Sequence, residues 1–322
     1  STTRNSTFEP GEVDSERTVV ISELEGNQNE PLFLLDEAVQ SAAFDSHPYR
    51  NEVIGSLADL RSITRDDLYQ HYRQYYNPAN AVVAVAGDFE SGSLIEKIRQ
   101  AYASIPGHPL PPPGCQPEAP LRSEQRLMVN GPGETTYLQL VYRSPAASEE
   151  DFFVFTIIDS LLTGPTSLNM FGGGAISNKT SRLYRRLVEK EYAISVNGSL
   201  QATADPFLYN ITITVHPSRS PEEVLEQVDK ELTALRGQPP TQAEIDRSAK
   251  QARALFAYGS ENITNQGFWM GYSEMFADHS WFTGYTDRLS RVTVDDVQRV
   301  LLGLLNSDQR VVGTYQPDGA HA

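Results

Sequence analysis

Glu16 and Glu23, seven residues apart, are the side chains of this sequence whose type and spacing best suit chemistry. They fall in a stretch that reads as a helix. Phe8-Glu9-Pro10-Gly11 opens it with proline in the first turn, and the acids Glu12 and Asp14 suit the N-terminal dipole. Two turns of about 3.6 residues each put both carboxylates on nearly one line, roughly 10 Å apart along the axis. On a helical wheel their direction falls between Val13, Val20 and Leu24 on one side and Val19 on the other, within or beside the apolar arc. A carboxylate facing inward needs a metal, a cation or hydrogen bonds to offset lost hydration. The plainer reading is a pair of exposed or salt-bridged acids.

Nothing else in the sequence completes a metal site. The histidines are His47, His71, His108, His216, His279 and His321, and no two share one helix face. Zinc catalysis needs three protein ligands and an open position. His47, in His47-Pro48-Tyr49, reads as a loop residue. The single cysteine, Cys115, excludes an internal disulfide and any cysteine-rich metal site. From Gly173 to Thr180 the chain nearly matches the phosphate loop G-x-x-x-x-G-K-[ST]. Asn178 stands where glycine is required, however, and an apolar helix precedes in place of a strand. The glycine backbone of Gly172, Gly173 and Gly174 remains a candidate docking surface for an extended peptide.

The elements that must position these residues follow from pattern and punctuation. Helices are expected over 10–24, 31–44, 65–76 and 91–103, the third opened by a capping box of Thr64 and Asp67. An apolar strand is expected over 81–86. Seven prolines between Pro106 and Pro120 suit an extended, semi-rigid connector. Beyond it come a strand over 135–143, a buried helix over 149–162, a helix over 181–190, strands over 193–201 and 207–216, and long helices over 221–236 and 241–259. Strands grouped together with helices laid on one face make the fold α+β.

The chain also repeats itself. Ile63-Thr64-Arg65-Asp66-Asp67-Leu68 recurs as Val292-Thr293-Val294-Asp295-Asp296-Val297, and the valine pair Val82-Val83 recurs as Val311-Val312. Glu12-Val13-Asp14 recurs, with a small slip, as Glu244-Ile245-Asp246. So long a repeat reads as two homologous domains. The expected division is 1–105 for part of a first domain, 106–125 for the linker and 126–322 for a complete second domain. Projected back, the first copy is expected to be truncated at its N-terminal end by roughly 100 residues. The helix of the second copy carries Ser248 and Leu255 where the first has Glu16 and Glu23, so the shared fold does not demand the acids.

Bulk properties fit this reading. At 39% hydrophobic and 21% charged the chain has the composition of a globular protein, and no apolar run approaches the roughly 18–20 residues of a membrane span. A net charge of −16 argues against nucleic acid as a partner and is compatible with a basic peptide substrate.

These residues together resemble the pitrilysin/insulinase zinc metallopeptidases, which include the mitochondrial processing peptidases. The matching segments are Glu16 through Glu23, His47-Pro48-Tyr49, Asn77-Pro78 leading into 81–88, Gly172-Gly173-Gly174 and Ser181-Arg182-Leu183-Tyr184. The resemblance implies two homologous α+β domains forming half of a clamshell around a chamber. It implies peptide-bond hydrolysis by zinc-activated water, with an inverted motif H-x-x-E-H supplying two histidine ligands and a glutamate base. It makes Glu23 the third zinc ligand and Glu16 its orienting companion. No H-x-x-E-H occurs in this sequence, so the chain itself is expected to be inactive and to hold no specific Zn2+ site of its own, at Glu23 or elsewhere.

Some members carry a substrate-clamping arginine and tyrosine seven residues apart. Aligned on Ser181-Arg182-Leu183-Tyr184, those positions fall on Val188 and Ser195, although Arg185 and Tyr192 have the right spacing. The resemblance therefore leaves open two readings, a zinc endopeptidase acting on peptides or unfolded polypeptides, and a non-catalytic scaffold or partner subunit of a two-subunit peptidase. Nucleotide binding is a remote third. A homodimer, or a heterodimer with a related subunit, is expected to cover the apolar faces of the first domain.

Overall fold

The computed structural model describes residues 5–111, 115–165 and 178–318. Gly172, Gly173 and Gly174 lie outside the described residues. The first half contributes α1 (Pro10–Asn27), α2 (Pro31–Ala43), a short α3 (Leu57–Ser62), α4 (Arg65–Tyr75) and α5 (Ser91–Tyr102). The second half opens with β1 (Gln125–Gly131), β2 (Tyr137–Ser144) and α6 (Glu150–Leu162). A π-helical turn (Tyr184–Val188), β3 (Ala193–Leu200), β4 (Phe207–Val215), α7 (Pro221–Gly237) and α8 (Gln242–Gly259) follow. The chain closes with α9 (Ile263–Ser273), α10 (His279–Arg291), α11 (Val294–Leu304) and β5 (Arg310–Pro317).

The fold is α+β, as expected. Among the described residues five strands form one sheet in the order β1-β5-β2-β4-β3, antiparallel except for the parallel pair of β1 and β5. Side chains alternate across a strand, so β2 sends Leu138, Leu140 and Tyr142 to one face and Val141 to the other. On the first face lies the main core, centred on α6, whose residues from Phe152 to Leu162 are all buried. Such a helix is enclosed on every side, and polar members such as Thr156 and Ser160 bond inside, to the Phe152 and Ser248 carbonyls.

The other face is covered from the first half. Leu35 and Val39 of α2 are fully buried against Val141, Leu208, Val311 and Tyr315. The helix approaches closely because β5 has Gly313 beneath it. A Cβ there would run into the side chains of Val39 and Leu35.

The repeat is visible in the elements. α1 and α8 both run 18 residues, and α4 and α11 both run 11. Thr64 with Asp67 and Thr293 with Asp296 form the same reciprocal capping box. The copies part company afterwards. Val311 and Val312 sit in the middle of the sheet at 0% and 3% exposure, whereas Val82 and Val83 are 59% and 51% exposed. The strand expected over 81–86 is accordingly not a strand: among the described residues no neighbouring strand supplies it with a ladder. Ala84 and Ala86 instead lie alongside α9, close enough that a Cβ added at Gly271 or Gly267 would meet them.

The proline-rich segment is more firmly seated than a plain spacer. Leu121 is buried with the α2 cluster, and Glu118 accepts backbone N–H bonds from Ser46 at 3.0 Å and His47 at 2.7 Å. Burial by itself would raise the Glu118 pKa. The Ser46, His47 and Asp45 N–H groups, with the Arg143 guanidinium, outweigh it and hold the carboxyl down at about 2.

Candidate functional site

α1 presents the two glutamates. Val13 and Leu24 are its buried residues, and Glu16 and Glu23 are both exposed. Of the two readings of the pair, the exposed one holds: neither carboxylate is buried, although Glu16 stays beside the apolar arc. Only the narrow line through Val13 and Leu24 reaches the core, and even Val19 is 56% exposed. Arg17 fixes the helix, donating to Asp14 at 2.8 Å and to the Ile63 carbonyl at 2.7 Å. Arg65 ties down the chain entering α1 through the Thr7 and Phe8 carbonyls, at 2.6 and 3.0 Å.

Between these elements lies a hollow of about 590 Å3. Phe8, Val13, Val20, Leu60, Ile63 and Leu68 supply its apolar wall, and Glu12, Glu16 and Arg17 its polar rim. Glu16 lines it and Glu23 does not. Neither acid has a hydrogen bond or ion pair to any described residue. One or two exposed carboxylates do not hold zinc, and no histidine stands with them among the described residues. The described residues thus do not complete a zinc site at Glu23.

Val188 and Ser195, the positions aligned with the clamping pair, are occupied by packing and a local bond. Val188 is half-buried against the main core, and the Ser195 hydroxyl donates to Thr214 Oγ1 at 2.8 Å. Tyr192 does not stand free. It packs on the same core with the Arg219 guanidinium 4.6 Å from its ring, while Arg185 is exposed. Asn178 turns its amide to the Val196 carbonyl, and the buried α6 lies before the segment, which removes the context a phosphate loop requires.

The structure also joins residues that spacing could not connect. His47 Nε2 stands 3.5 Å from Asp205 Oδ2, and Cys115 Sγ stands 3.9 Å from the same oxygen. His47 is 4% exposed and its Nδ1 accepts the Tyr49 N–H at 3.1 Å, capping the 3-10 turn Pro48–Arg50. These three residues come from three separate loops, so no local pattern announces them.

Comparison with known proteins places the chain. The family model described as "Peptidase M16 inactive domain" matches residues 62–252. A Mycobacterium leprae protein named an uncharacterized zinc protease is 25% identical over 318 residues, covering 94% of this chain and 66% of its own length. The mitochondrial-processing peptidase subunit beta of Dictyostelium discoideum is 20% identical, covering 98% of this chain and 66% of its own length. The chain thus spans just under two thirds of the length of these relatives. Among solved structures, a protease from Helicobacter pylori superposes with a TM-score of 0.84 at 22% identity, over 96% of this chain and 72% of that one. A peptidase M16 inactive domain from Pseudomonas fluorescens superposes with the same TM-score at 18% identity, over 99% of this chain and 73% of that one. Those two likenesses establish the fold, and the family match extends over more than half of the sequence: the chain belongs to the M16 peptidase family.

Proposed function

We propose that this chain is the larger part of a zinc-dependent endopeptidase that hydrolyses peptides or unfolded polypeptides, and that the chain is inactive by itself. The observation that carries this is the likeness over 94% of the chain to a protein named a zinc protease. Glu23 is the metal ligand that this chain supplies, and Glu16, two turns away at the rim of the hollow, is its companion, tuning the charge around the metal site. A zinc ion held by Glu23 and two histidines would supply Lewis-acid chemistry, polarising the scissile carbonyl and acidifying a bound water. The two histidines and the base belong to an H-x-x-E-H that this sequence does not contain.

The test is the zinc content of the longer protein that includes an H-x-x-E-H, with and without Glu23→Gln. Loss of most of the metal in the variant supports the ligand role. Equal zinc in both forms removes Glu23 from the site.

A second reading, a non-catalytic scaffold or partner subunit of a two-subunit peptidase, is favoured by Val188 and Ser195. Neither side chain can clamp a peptide backbone as arginine and tyrosine do. Under this reading a related subunit provides the clamp, and peptidase activity requires mixing the two.

A further inference from the structure

We propose that His47, Cys115 and Asp205 form a second, separate metal site that takes one Zn2+ ion and fastens the linker to the sheet. It stands independently of the role assigned to Glu23. Imidazole nitrogen, thiolate sulfur and carboxylate oxygen are the donors zinc prefers, and three protein ligands leave a fourth position for water. The three ligand atoms all lie within 4.8 Å of one another, two of the separations being 3.5 and 3.9 Å. Around a tetrahedral ion with ordinary zinc bond lengths, neighbouring ligand atoms stand roughly 3.3–3.6 Å apart. The cluster is therefore near the required spacing before any ion enters.

The site is also held from outside. The Tyr49 ring lies 4.4 Å from the His47 ring and Phe44 lies 5.9 Å away, so the imidazole is wedged in place. Glu118, three residues beyond Cys115, grips the His47 backbone and brings the linker alongside. Asp205 sits in the turn between β3 and β4, with Thr203 Oγ1 donating to its carbonyl at 2.8 Å. An ion here joins the loop after α2, the linker and the β3–β4 turn.

Binding has a defined proton balance. The Cys115 thiol releases its proton to solvent as sulfur bonds the metal. Without metal, Tyr49 N–H on Nδ1 leaves the imidazole proton on Nε2, facing Asp205. The ion takes the Nε2 lone pair, so that proton moves to Nδ1 and the Tyr49 bond is given up. That loss makes the site weaker than a closed four-ligand structural centre. It is a latch that responds to metal supply.

The experiment titrates the purified chain with Co2+ alone, followed by optical spectroscopy, then competes with Zn2+. One Co2+ per chain with a thiolate-to-metal charge-transfer band, displaced by Zn2+, is the expected result. Cys115→Ser abolishes the band. Asp205→Asn weakens Co2+ binding by more than about tenfold, the scale on which even outer-shell partners act. Glu23→Gln leaves band and affinity unchanged, which separates this site from the proposed catalytic one. A saturated chain without the band, or equal affinity in Asp205→Asn and the parent chain, overturns the proposal.

Discussion

Val39 of α2 lies directly over Gly313 of β5, and the two come from opposite halves of the repeat. The missing side chain at 313 is what lets a first-half helix seal the far face of the second-half sheet. Gly313→Ala puts a methyl where Leu35 and Val39 already are. Overpacking of this kind costs about 1–3 kcal/mol. Chemical denaturation should show that loss as a lower midpoint with an unchanged slope, and full stability in the variant would mean that α2 does not seat on β5 as described.

How much of this was legible beforehand depends on the range of the interaction. The α4 and α11 capping boxes, the linker prolines and the alternation of β2 are local, and they stand in the sequence. α3 and β1 do not stand out in the sequence, the first because it is only six residues long and the second because the consecutive apolar Leu127, Met128 and Val129 mask the in–out alternation its burial shows. The placement of α2 on the opposite face depends on one glycine about 270 residues away, which no window sees. Glu16 and Glu23 stand out by spacing and repeat contrast, but their exposure does not follow from the helical wheel. A wheel shows where the apolar arc is and not how much of it the rest of the chain covers. The His47, Cys115 and Asp205 cluster left no signal because its members are far apart in sequence.

A buried ion pair offers a second check. Arg310 is 1% exposed and donates to both oxygens of Asp229, at 2.5 and 3.0 Å, and to Glu124 and the Tyr142 hydroxyl. Asp229→Ala removes the two-pronged partner and leaves the guanidinium buried with Glu124 as its one remaining carboxylate and the Tyr142 hydroxyl beside it. Breaking such a pair costs about 3 kcal/mol or more. The exposed pair Lys230–Glu226, at 2.8 Å, is the control: Lys230→Ala should change stability by under about 0.5 kcal/mol. Similar losses in both variants would contradict the burial of Arg310.

Acid should loosen the linker. Glu118 is held at about 2 against an ordinary value of 4.5, so its folded pKa is depressed. Its contribution is fully present above pH 4.5 and is lost as pH falls through the interval down to about 2. The site is half-exposed, so solvent screening limits the effect to roughly 1–2 kcal/mol. Glu118→Gln should therefore unfold earlier than the parent at neutral pH and converge with it near the bottom of that interval. A constant difference across the whole range would show that the carboxylate charge is not what the loop recognises.

Asp36 should behave in the opposite sense. Burial raises its pKa, and Gln139, donating at 2.5 Å, only partly offsets this. A raised carboxyl favours the folded state when protonated, so this contribution is present at low pH and lost as pH rises through the raised value. The same burial raises Glu52, and the nearby charges of Asp36 and Glu37 add to it. Asp36→Asn keeps an acceptor for Gln139 and removes the buried charge. It should raise thermal stability at pH 8 and match the parent at pH 3, and a destabilised variant at pH 8 would place the carboxylate in a favourable pair instead.

The repeated valines test what becomes of the exposed face of the first half. Val311 and Val82 occupy matching places in the two copies, one fully buried and the other 59% exposed. Val311→Ala should cost about 2 kcal/mol, the order of burying a valine side chain. Val82→Ala should cost under about 0.5 kcal/mol in dilute solution, where nothing among the described residues covers it. If the chain associates through that face, as its exposed Val82, Val83 and Val85 invite, the Val82→Ala cost grows with protein concentration while the Val311→Ala cost does not. Unfolding midpoints measured over a hundredfold range of concentration decide it. A Val82→Ala effect that stays small at every concentration, with monomers by sedimentation, would remove self-association through this face.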